Sequence, residues 1–285
     1  MAKLLVTGSD GFIGRALCQN LRARGHDVVG LTRHEGDIAD AATFDRVGAV
    51  DHVMHLAGRT YVPDSWKDPA GFHNTNILGT ANALDFCRTR GARCTYVSSY
   101  LYGVPERLPV SETCTPRPNT PYALSKFLAE QICAFYVEHH GVDVTAIRPF
   151  NVFGPGQKPH FLIPQIILDV IAQRPIRVKD LAPRRDYVYL DDLIDALVKT
   201  LDAPAGYNLC NIGSGVSLSV SESIDIIQSV AGSNLQVVCD GVVRPNEIND
   251  VYADISRARS LLDWSPRLSF REGIERMMLE YRRSQ

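Results

Sequence analysis

The sequence predicts an α/β fold, a doubly wound parallel sheet followed by a smaller C-terminal lobe. Three observations carry this. An apolar strand pattern, Leu4-Leu5-Val6, runs into the glycine turn Gly8-Ser9-Asp10-Gly11-Phe12-Ile13-Gly14 and then a helical stretch over residues 15–24. Strand-like and helix-like stretches then alternate as far as Asn151, the pattern of a parallel sheet covered on both faces. From Gly154-Pro155-Gly156 the character changes to turn-rich sequence and further helices. The expected division is a first domain over 1–153, rejoined by parts of 186–213, with 154–185 and 214–285 forming the lobe.

At 285 residues, 45% of them hydrophobic, the chain is long enough to bury a substantial core. A formal net charge of −2 gives no basic field to attract nucleic acid or a membrane surface. No apolar run approaches the length of about 20 residues that spans a bilayer. The first residues pass directly into a strand pattern, too short for a signal peptide. Seven cysteines (Cys18, Cys87, Cys94, Cys114, Cys133, Cys210 and Cys239) are scattered, odd in number and never spaced Cys-x-x-Cys. That argues against a disulfide framework or a zinc site and for a reducing cytoplasm.

Strand, glycine turn, helix is the context in which Gly8, Gly11 and Gly14 carry meaning. They permit a tight turn, let the backbone approach a pyrophosphate, and let the helix pack close to the strand. The helix N-terminus at Phe12 and Ile13 offers free N–H groups and a positive dipole end to phosphates. The fold is therefore Rossmann-type, with the spacing Gly-x-x-Gly-x-x-Gly. The second strand, Val28-Val29-Gly30-Leu31, ends at Thr32-Arg33 with no acid at that point. An acid there binds the ribose hydroxyls of NAD, whereas an arginine accommodates a 2′-phosphate. Arg33 thus leans the cofactor towards NADP, with Glu35 close by as a competing signal.

Asp37 is placed either to accept from an adenine amine while Ile38 packs on the ring, or to cap the helix that begins near Ala41. The next strand ends in Leu56-Ala57-Gly58, small residues suited to close approach by a cofactor, and His55 within it reads as a buried strand residue. Asn76 opens a helix running to about Arg90. A strand follows to Ser98-Ser99, then Tyr100-Leu101-Tyr102-Gly103, a helix over 121–139 and a strand over 142–151. The glycine loop, Ala57-Gly58, Ser98-Ser99 and Phe150-Asn151 all fall at strand carboxyl ends, where ligands bind in such sheets.

Within the helix over 121–139, Tyr122 and Lys126 stand four apart and share a face. An ammonium beside a phenol favours phenolate, which would tune the tyrosine for proton exchange with a hydroxyl or carbonyl. Further on, helices are expected over 161–172, 191–201, 220–231, 255–262 and 270–283, a strand over 184–190, and a last sheet strand over 207–213. Arg185 and Arg244 would suit a diphosphate in the cleft, or equally surface salt bridges.

Taken together, these residues resemble the extended short-chain dehydrogenase/reductase family, in its NAD-dependent epimerase/dehydratase branch, which modifies nucleotide sugars. The resemblance spans nearly the whole chain. It rests on Thr7-Gly-Ser-Asp-Gly-Phe-Ile-Gly14, Gly36-Asp-Ile-Ala-Asp40, His55-Leu-Ala-Gly58, Asn76-Ile-Leu-Gly-Thr80, Val97-Ser-Ser99, Tyr122-Ala-Leu-Ser-Lys126, Arg148-Pro-Phe-Asn-Val-Phe-Gly-Pro-Gly156, Arg185-Asp-Tyr-Val-Tyr189 and Arg244-Pro245. It implies a catalytic Ser/Thr, Tyr and Lys, here Ser99, Tyr122 and Lys126. Counting back from Tyr102 gives Ser98 instead of Ser99; the strand favours Ser99 and leaves Ser98 to the substrate. Asn76 and Pro149 join the cofactor contacts. Asn151, Arg185 and Arg244 would contact the sugar nucleotide, although Arg244-Pro245-Asn246-Glu247 departs from the family's Arg-Pro-Gly-Asp. The resemblance also implies a homodimer, with the helices over 80–90 and 122–139 forming a four-helix bundle through Ala83, Leu84, Phe127 and Ile132, residues that suit a core equally well.

The family's 4,6-dehydratases carry Asp-Glu where this chain has Tyr100-Leu101, so the acid and base for elimination are missing. The expectation is hydride transfer at C4 of a nucleotide-diphosphate hexose by a 4-keto-6-deoxy-sugar reductase, with a UDP-glucose 4-epimerase-like enzyme as the alternative. A non-catalytic NAD(P)-binding regulator on the same fold would typically have lost Tyr122 or Lys126.

Overall fold

A computed structural model of the chain describes residues 1–242 and 247–283. Leu4, Leu5 and Val6 are fully buried at the centre of strand β1 (Lys3–Thr7), as an unbroken apolar run should be in a sheet covered on both faces. The chain continues through α1 (Phe12–Ala23), β2 (Asp27–Leu31), α2 (Ala42–Asp45), β3 (His52–His55), α3 (Val62–Lys67), α4 (Pro69–His73), α5 (Gly79–Arg90), β4 (Arg93–Val97), α6 (Pro121–His140) and β5 (Val144–Pro149). The second half adds β6 (Asn151–Phe153), α7 (Leu162–Ile171), β7 (Ile176–Val178), β8 (Arg184–Arg185), β9 (Tyr187–Tyr189), α8 (Leu190–Lys199), β10 (Tyr207–Ile212), β11 (Leu218–Ser219), α9 (Val220–Ala231), β12 (Val237–Cys239), β13 (Asp250–Val251), α10 (Ser256–Leu262) and α11 (Phe270–Arg283).

Six parallel strands make the main sheet in the order β10-β5-β4-β3-β1-β2. Chain order reverses between β1 and β3, which opens a crevice at their carboxyl ends. As expected, the strand beginning at Tyr207 returns to this sheet and runs parallel to β5, from Tyr207 opposite Val144 to Ile212 opposite Pro149. One face packs on Leu17, Leu21, Leu193, Leu197 and Trp264, the other on Leu84, Phe86, Ala129 and Cys133. A further core of Phe153, Ile163, Ile167, Ile224, Ile274 and Met277 lies among α7, α9 and α11.

Three sequence expectations change. The helix expected to open at Asn76 starts earlier, at α4, and reaches α5 through a turn of π-helix, Asn74–Leu78. Asp68 accepts from Gly71 N at 3.0 Å and Pro69 takes the first helical position, so this dipeptide sets the start. The strand-like run over 184–190 divides at Asp186. Its first part joins β11 and β13, and its second pairs with β6. The divide has a cause: the Asp186 carboxylate is buried and accepts from Ser214 N and Oγ at 2.6 Å and from Gly215 N and Ala253 N at 3.0 Å. Finally, Ala83 and Leu84 lie wholly in the core, whereas Leu78, Leu124, Leu128 and Phe135 are the exposed apolar residues of this region.

One buried ion pair joins α6 to the sheet. Arg148 Nε and Nη2 donate to Glu130 Oε1 and Oε2 at 2.9 and 2.5 Å, and Nη1 donates to Tyr102 Oη at 2.8 Å. Tyr102 in turn donates to Asn211 Oδ1 at 2.6 Å. Glu130→Gln or Arg148→Met should each destabilise the fold by about 3–5 kcal/mol, because one charge is left buried without its partner. The double variant Glu130→Leu/Arg148→Met should recover part of that loss in urea unfolding.

Two buried histidines couple stability to pH. His52 bonds Thr95 Oγ1 at 2.7 Å, and His55 bonds Thr7 Oγ1 at 2.9 Å and Thr80 Oγ1 at 3.1 Å. Burial, with Arg93 near His52 and Lys126 near His55, lowers each from 6.5 to about 3. The folded values lie below the unfolded one. Their stabilisation is therefore complete above pH 6.5 and is lost as pH falls towards 3, by roughly 2 kcal/mol per ring at about pH 5. His52→Gln should lose less stability than wild type between about pH 7.5 and pH 5 in urea titrations.

Candidate active site

The glycine loop has no room for side chains. Gly8 has φ +69°, and a Cβ at Gly14 would lie 2.1 Å from Gly8 O, one at Gly11 3.1 Å from the same atom. A Cβ on Gly8 would lie 3.0 Å from Ala57 Cα, so the loop rests directly on the end of β3. Among the described residues no side chain caps the first turn after Gly11, which leaves the N–H groups at Phe12, Ile13 and Gly14 for a ligand. Thr7 Oγ1 accepts from Leu56 N and Ala57 N at 3.2 and 3.1 Å and shapes the opposite wall. Glycines that leave no room for a Cβ, followed by uncapped N–H groups at a switch point, fit the pyrophosphate of a dinucleotide.

At the end of β2, Arg33 is well exposed, with Asp37 Oδ2 4.0 Å away. Glu35 is engaged locally: it accepts from Thr32 N at 2.7 Å and from the Thr32 hydroxyl, bonds that lower its pKa. Of the two sequence readings for Asp37, helix capping fails. Asp37 Oδ1 accepts from Ala39 N at 3.0 Å, and Asp40 takes Ala42 N instead, also at 3.0 Å. Ile38 is buried against Gly79, where a Cβ would come within 2.6 Å of its Cδ1.

Thr120 caps α6 by accepting from Ala123 N at 3.0 Å, and Pro121 occupies its first turn. This start sets Tyr122 and Lys126 one turn apart on the face that meets the strand ends. Lys126 is buried, its Nζ 4.5 Å above the Tyr96 ring, and a Cβ on Gly58 would lie 3.9 Å from that Nζ. Burial opposes the expected shift towards phenolate. Desolvation pushes Tyr122 up to about 12, with Ser99 pulling it down and Tyr100 pushing it up. Desolvation lowers Lys126 to about 8, opposed by Cys133 and Glu130. Desolvation disfavours the charged form of both groups, so these surroundings favour the neutral phenol.

Between the two candidate serines, Ser99 is the one whose side chain reaches Tyr122. Ser98 is held in the sheet by its N–H to Ile147 O at 2.8 Å, and its buried Oγ has no partner among the described residues. Tyr100 is half-buried and stacked on Phe150, while Leu101 is buried in the core. Neither residue brings a carboxylate to Tyr122. Asn151 sits on β6 close by, and Pro149 ends β5 opposite Ile212.

Asn76, in the π turn, accepts from Arg59 N at 2.8 Å and donates to Arg59 O at 3.0 Å and Ser125 Oγ at 2.9 Å. It fastens the end of β3 to α6 at the residue before Lys126. Arg185 is already paired: it bonds Glu247, Ile248 O at 2.5 Å and Arg184 O at 2.8 Å. Arg244 lies outside the described residues. Sequence reasoning missed Phe72, whose ring meets Tyr122 edge-on at 6.4 Å beneath the Arg59 guanidinium, because no local pattern marks it. Among the described residues no His, Cys, Asp and Glu cluster is placed to hold a metal ion, and no helix is long and apolar enough to cross a membrane.

The model of the NAD dependent epimerase/dehydratase family matches residues 4–213. GDP-6-deoxy-D-mannose reductase of Pseudomonas aeruginosa is 31% identical over 301 residues, which cover 98% of this chain and 97% of that protein. UDP-glucose 4-epimerase of Mycolicibacterium smegmatis is 30% identical over 312 residues, 98% of each. Among solved structures, UDP-glucose 4-epimerase of Thermotoga maritima with UDP-glucose superposes with a TM-score of 0.94 at 25% identity over 99% of both chains. RMD from Pseudomonas aeruginosa, solved with NADPH, superposes with a TM-score of 0.91 at 30% identity over 100% of both. Matched along nearly its whole length by a reductase and an epimerase alike, the chain belongs to the NAD dependent epimerase/dehydratase family.

Proposed function

We propose that this protein is an NAD(P)-dependent oxidoreductase of nucleotide-diphosphate sugars that transfers hydride at C4 of the hexose, as a 4-keto-6-deoxy-sugar reductase. The observation that carries this reading is Tyr122 with the Ser99 side chain in reach of its phenol, and Tyr100 and Leu101 supplying no carboxylate. A neutral phenol is the form that gives a proton to a carbonyl oxygen as it becomes a hydroxyl. Elimination of a hydroxyl would need an acid and a base, and that part of the site provides neither.

Backbone groups of Gly8, Gly11, Phe12, Ile13 and Gly14 would hold the pyrophosphate, with Arg33, Asp37 and Ile38 towards the adenosine and Leu56, Ala57, Gly58, Asn76, Lys126 and Pro149 towards the nicotinamide half. A bound nicotinamide dinucleotide supplies the hydride. Ser99 would orient the reacting oxygen, and Tyr122 would release its proton to it. Lys126 would stabilise the phenolate left behind. Exposed Arg33, with Glu35 turned to Thr32, supports NADP. Ser98, Asn151, Arg185 and Arg244 would contact the sugar nucleotide, Arg185 by exchanging Glu247 for a diphosphate oxygen. The core among α7, α9 and α11 would belong to the substrate-binding lobe.

The epimerase reading keeps support from the fit to the Thermotoga maritima enzyme. It requires the same groups to run oxidation first, starting from phenolate. A homodimer would use the stripe of Leu124, Leu128 and Phe135 along α6 together with Leu78. Seven unpaired cysteines suit a reducing cytoplasm.

Denaturing the purified protein and identifying what it releases tests the reaction. The reductase reading expects no retained NAD, and NADPH consumption by a 4-keto-6-deoxy sugar nucleotide; tightly held NAD with interconversion of UDP-glucose and UDP-galactose would replace it by the epimerase. Tyr122→Phe should lower kcat about 10²- to 10⁴-fold while thermal melting and cofactor affinity stay unchanged. Arg33→Ala should weaken NADP(H) binding about tenfold and leave NAD(H) nearly untouched in fluorescence titrations.

A further inference from the structure

The Asn151 amide is held from both ends. Its Nδ2 donates to Asp186 O at 3.0 Å. A backbone carbonyl can only accept, so the nitrogen must lie on that side. Oδ1 therefore points the other way, where Tyr100 Oη donates to it at 3.3 Å. Both holders are themselves fixed. The Tyr100 ring stacks on Phe150 with centroids 5.1 Å apart and planes 20° from parallel. The Asp186 backbone is pinned by the four hydrogen bonds to its own carboxylate, and its carbonyl also takes Asn151 N at 3.0 Å. Tyr100 directly follows Ser99 and lies near enough to Tyr122 to raise its pKa, so this pair borders the proton donor.

We propose that Tyr100 is a substrate-positioning residue that acts through Asn151, locking the amide so that its second N–H is offered to a sugar oxygen beside the reacting carbon. One amide N–H goes to Asp186; the other has no partner among the described residues. A flipped amide would set two carbonyl oxygens against each other at Asp186 and present an acceptor to the ligand instead. Held as it is, the site takes a hexose that keeps a hydroxyl or carbonyl oxygen next to the reacting carbon, and rejects one deoxygenated there, which would leave the N–H unpaired. This inference rests on the nucleotide-sugar reading above.

Its test is a double-mutant cycle of Tyr100→Phe and Asn151→Ala. Activity is read as oxidation of GDP-6-deoxy-D-mannose with NADP⁺ and as epimerisation of UDP-glucose with NAD⁺. Tyr100→Phe should raise the sugar KM about three- to tenfold with kcat nearly unchanged, the mark of lost uniform binding. Melting temperature and NADP⁺ affinity should hold, and the double variant should be no worse than Asn151→Ala alone. An unchanged KM, or effects that simply multiply, would overturn the proposal. If wild type converts neither sugar, the reaction assignment fails by itself. The Asn151 side-chain amide signals in NMR then decide the positioning claim: one sharp, exchange-protected pair in wild type that broadens or flips in Tyr100→Phe supports it, and an identical pair in both proteins refutes it.

Discussion

The bidentate bond between Glu130 and Arg148 is the constraint on which the site's geometry depends. Helix α6 carries Tyr122 and Lys126 in its opening turns and Glu130 one turn further on, so fixing Glu130 fixes the axial position of both. Arg148 belongs to β5, and through Tyr102 and Asn211 the same network reaches the loop after β4 and the strand β10. Ser99, Tyr122 and Asn151 come from three different elements, and this network bears on all three. Two charges taken out of water gain little net stability from their attraction. Both bonds are made only while Glu130 and Arg148 keep this register, so the pair ties the helix to the sheet at one point.

The same burial sets the electrostatics of the Tyr–Lys pair. A helical spacing of four suggests an ammonium stabilising a phenolate, and the surroundings reverse that. Lys126 directs its Nζ to the face of Tyr96, and desolvation dominates both groups with opposite signs. The protein's own residues therefore favour the neutral phenol. Ser99 is the group that pulls the phenol back the other way, through a side-chain hydrogen bond that favours the charged form.

Much of this was legible in the sequence because it is local. The strand–glycine–helix opening, the helical pairing of Tyr122 with Lys126 and the return of Tyr207 to the sheet each follow from a short pattern of residues. What was not legible depends on partners far along the chain. Nothing near Asp186 announces that Ser214 and Ala253 will close on its carboxylate and split a continuous strand pattern. Nothing near Tyr100 announces Asn151. The helix through Asn76 was half visible: the Asp68-Pro69 start is a local signal, but the π turn holds an Asn76 that reaches the distant Arg59 and Ser125. Apolar residues on α5 and α6 could not be divided between core and surface until the sheet was in place, since either use leaves the same composition.

The path of the backbone between its cores has a mechanical consequence. After β5 the chain leaves the main sheet for the core around α7, comes back with α8 and β10, leaves again through β11 and α9, returns with α10, and ends in α11. Repeated covalent crossings do not form a hinge with a single axis. They behave as stitching along a seam, so large opening of the cleft would strain several links at once. The stitching also means that the first 150 residues are not a separable piece. Cut there, β5 would lose β10 and expose a buried strand edge, an invitation to pair with another chain.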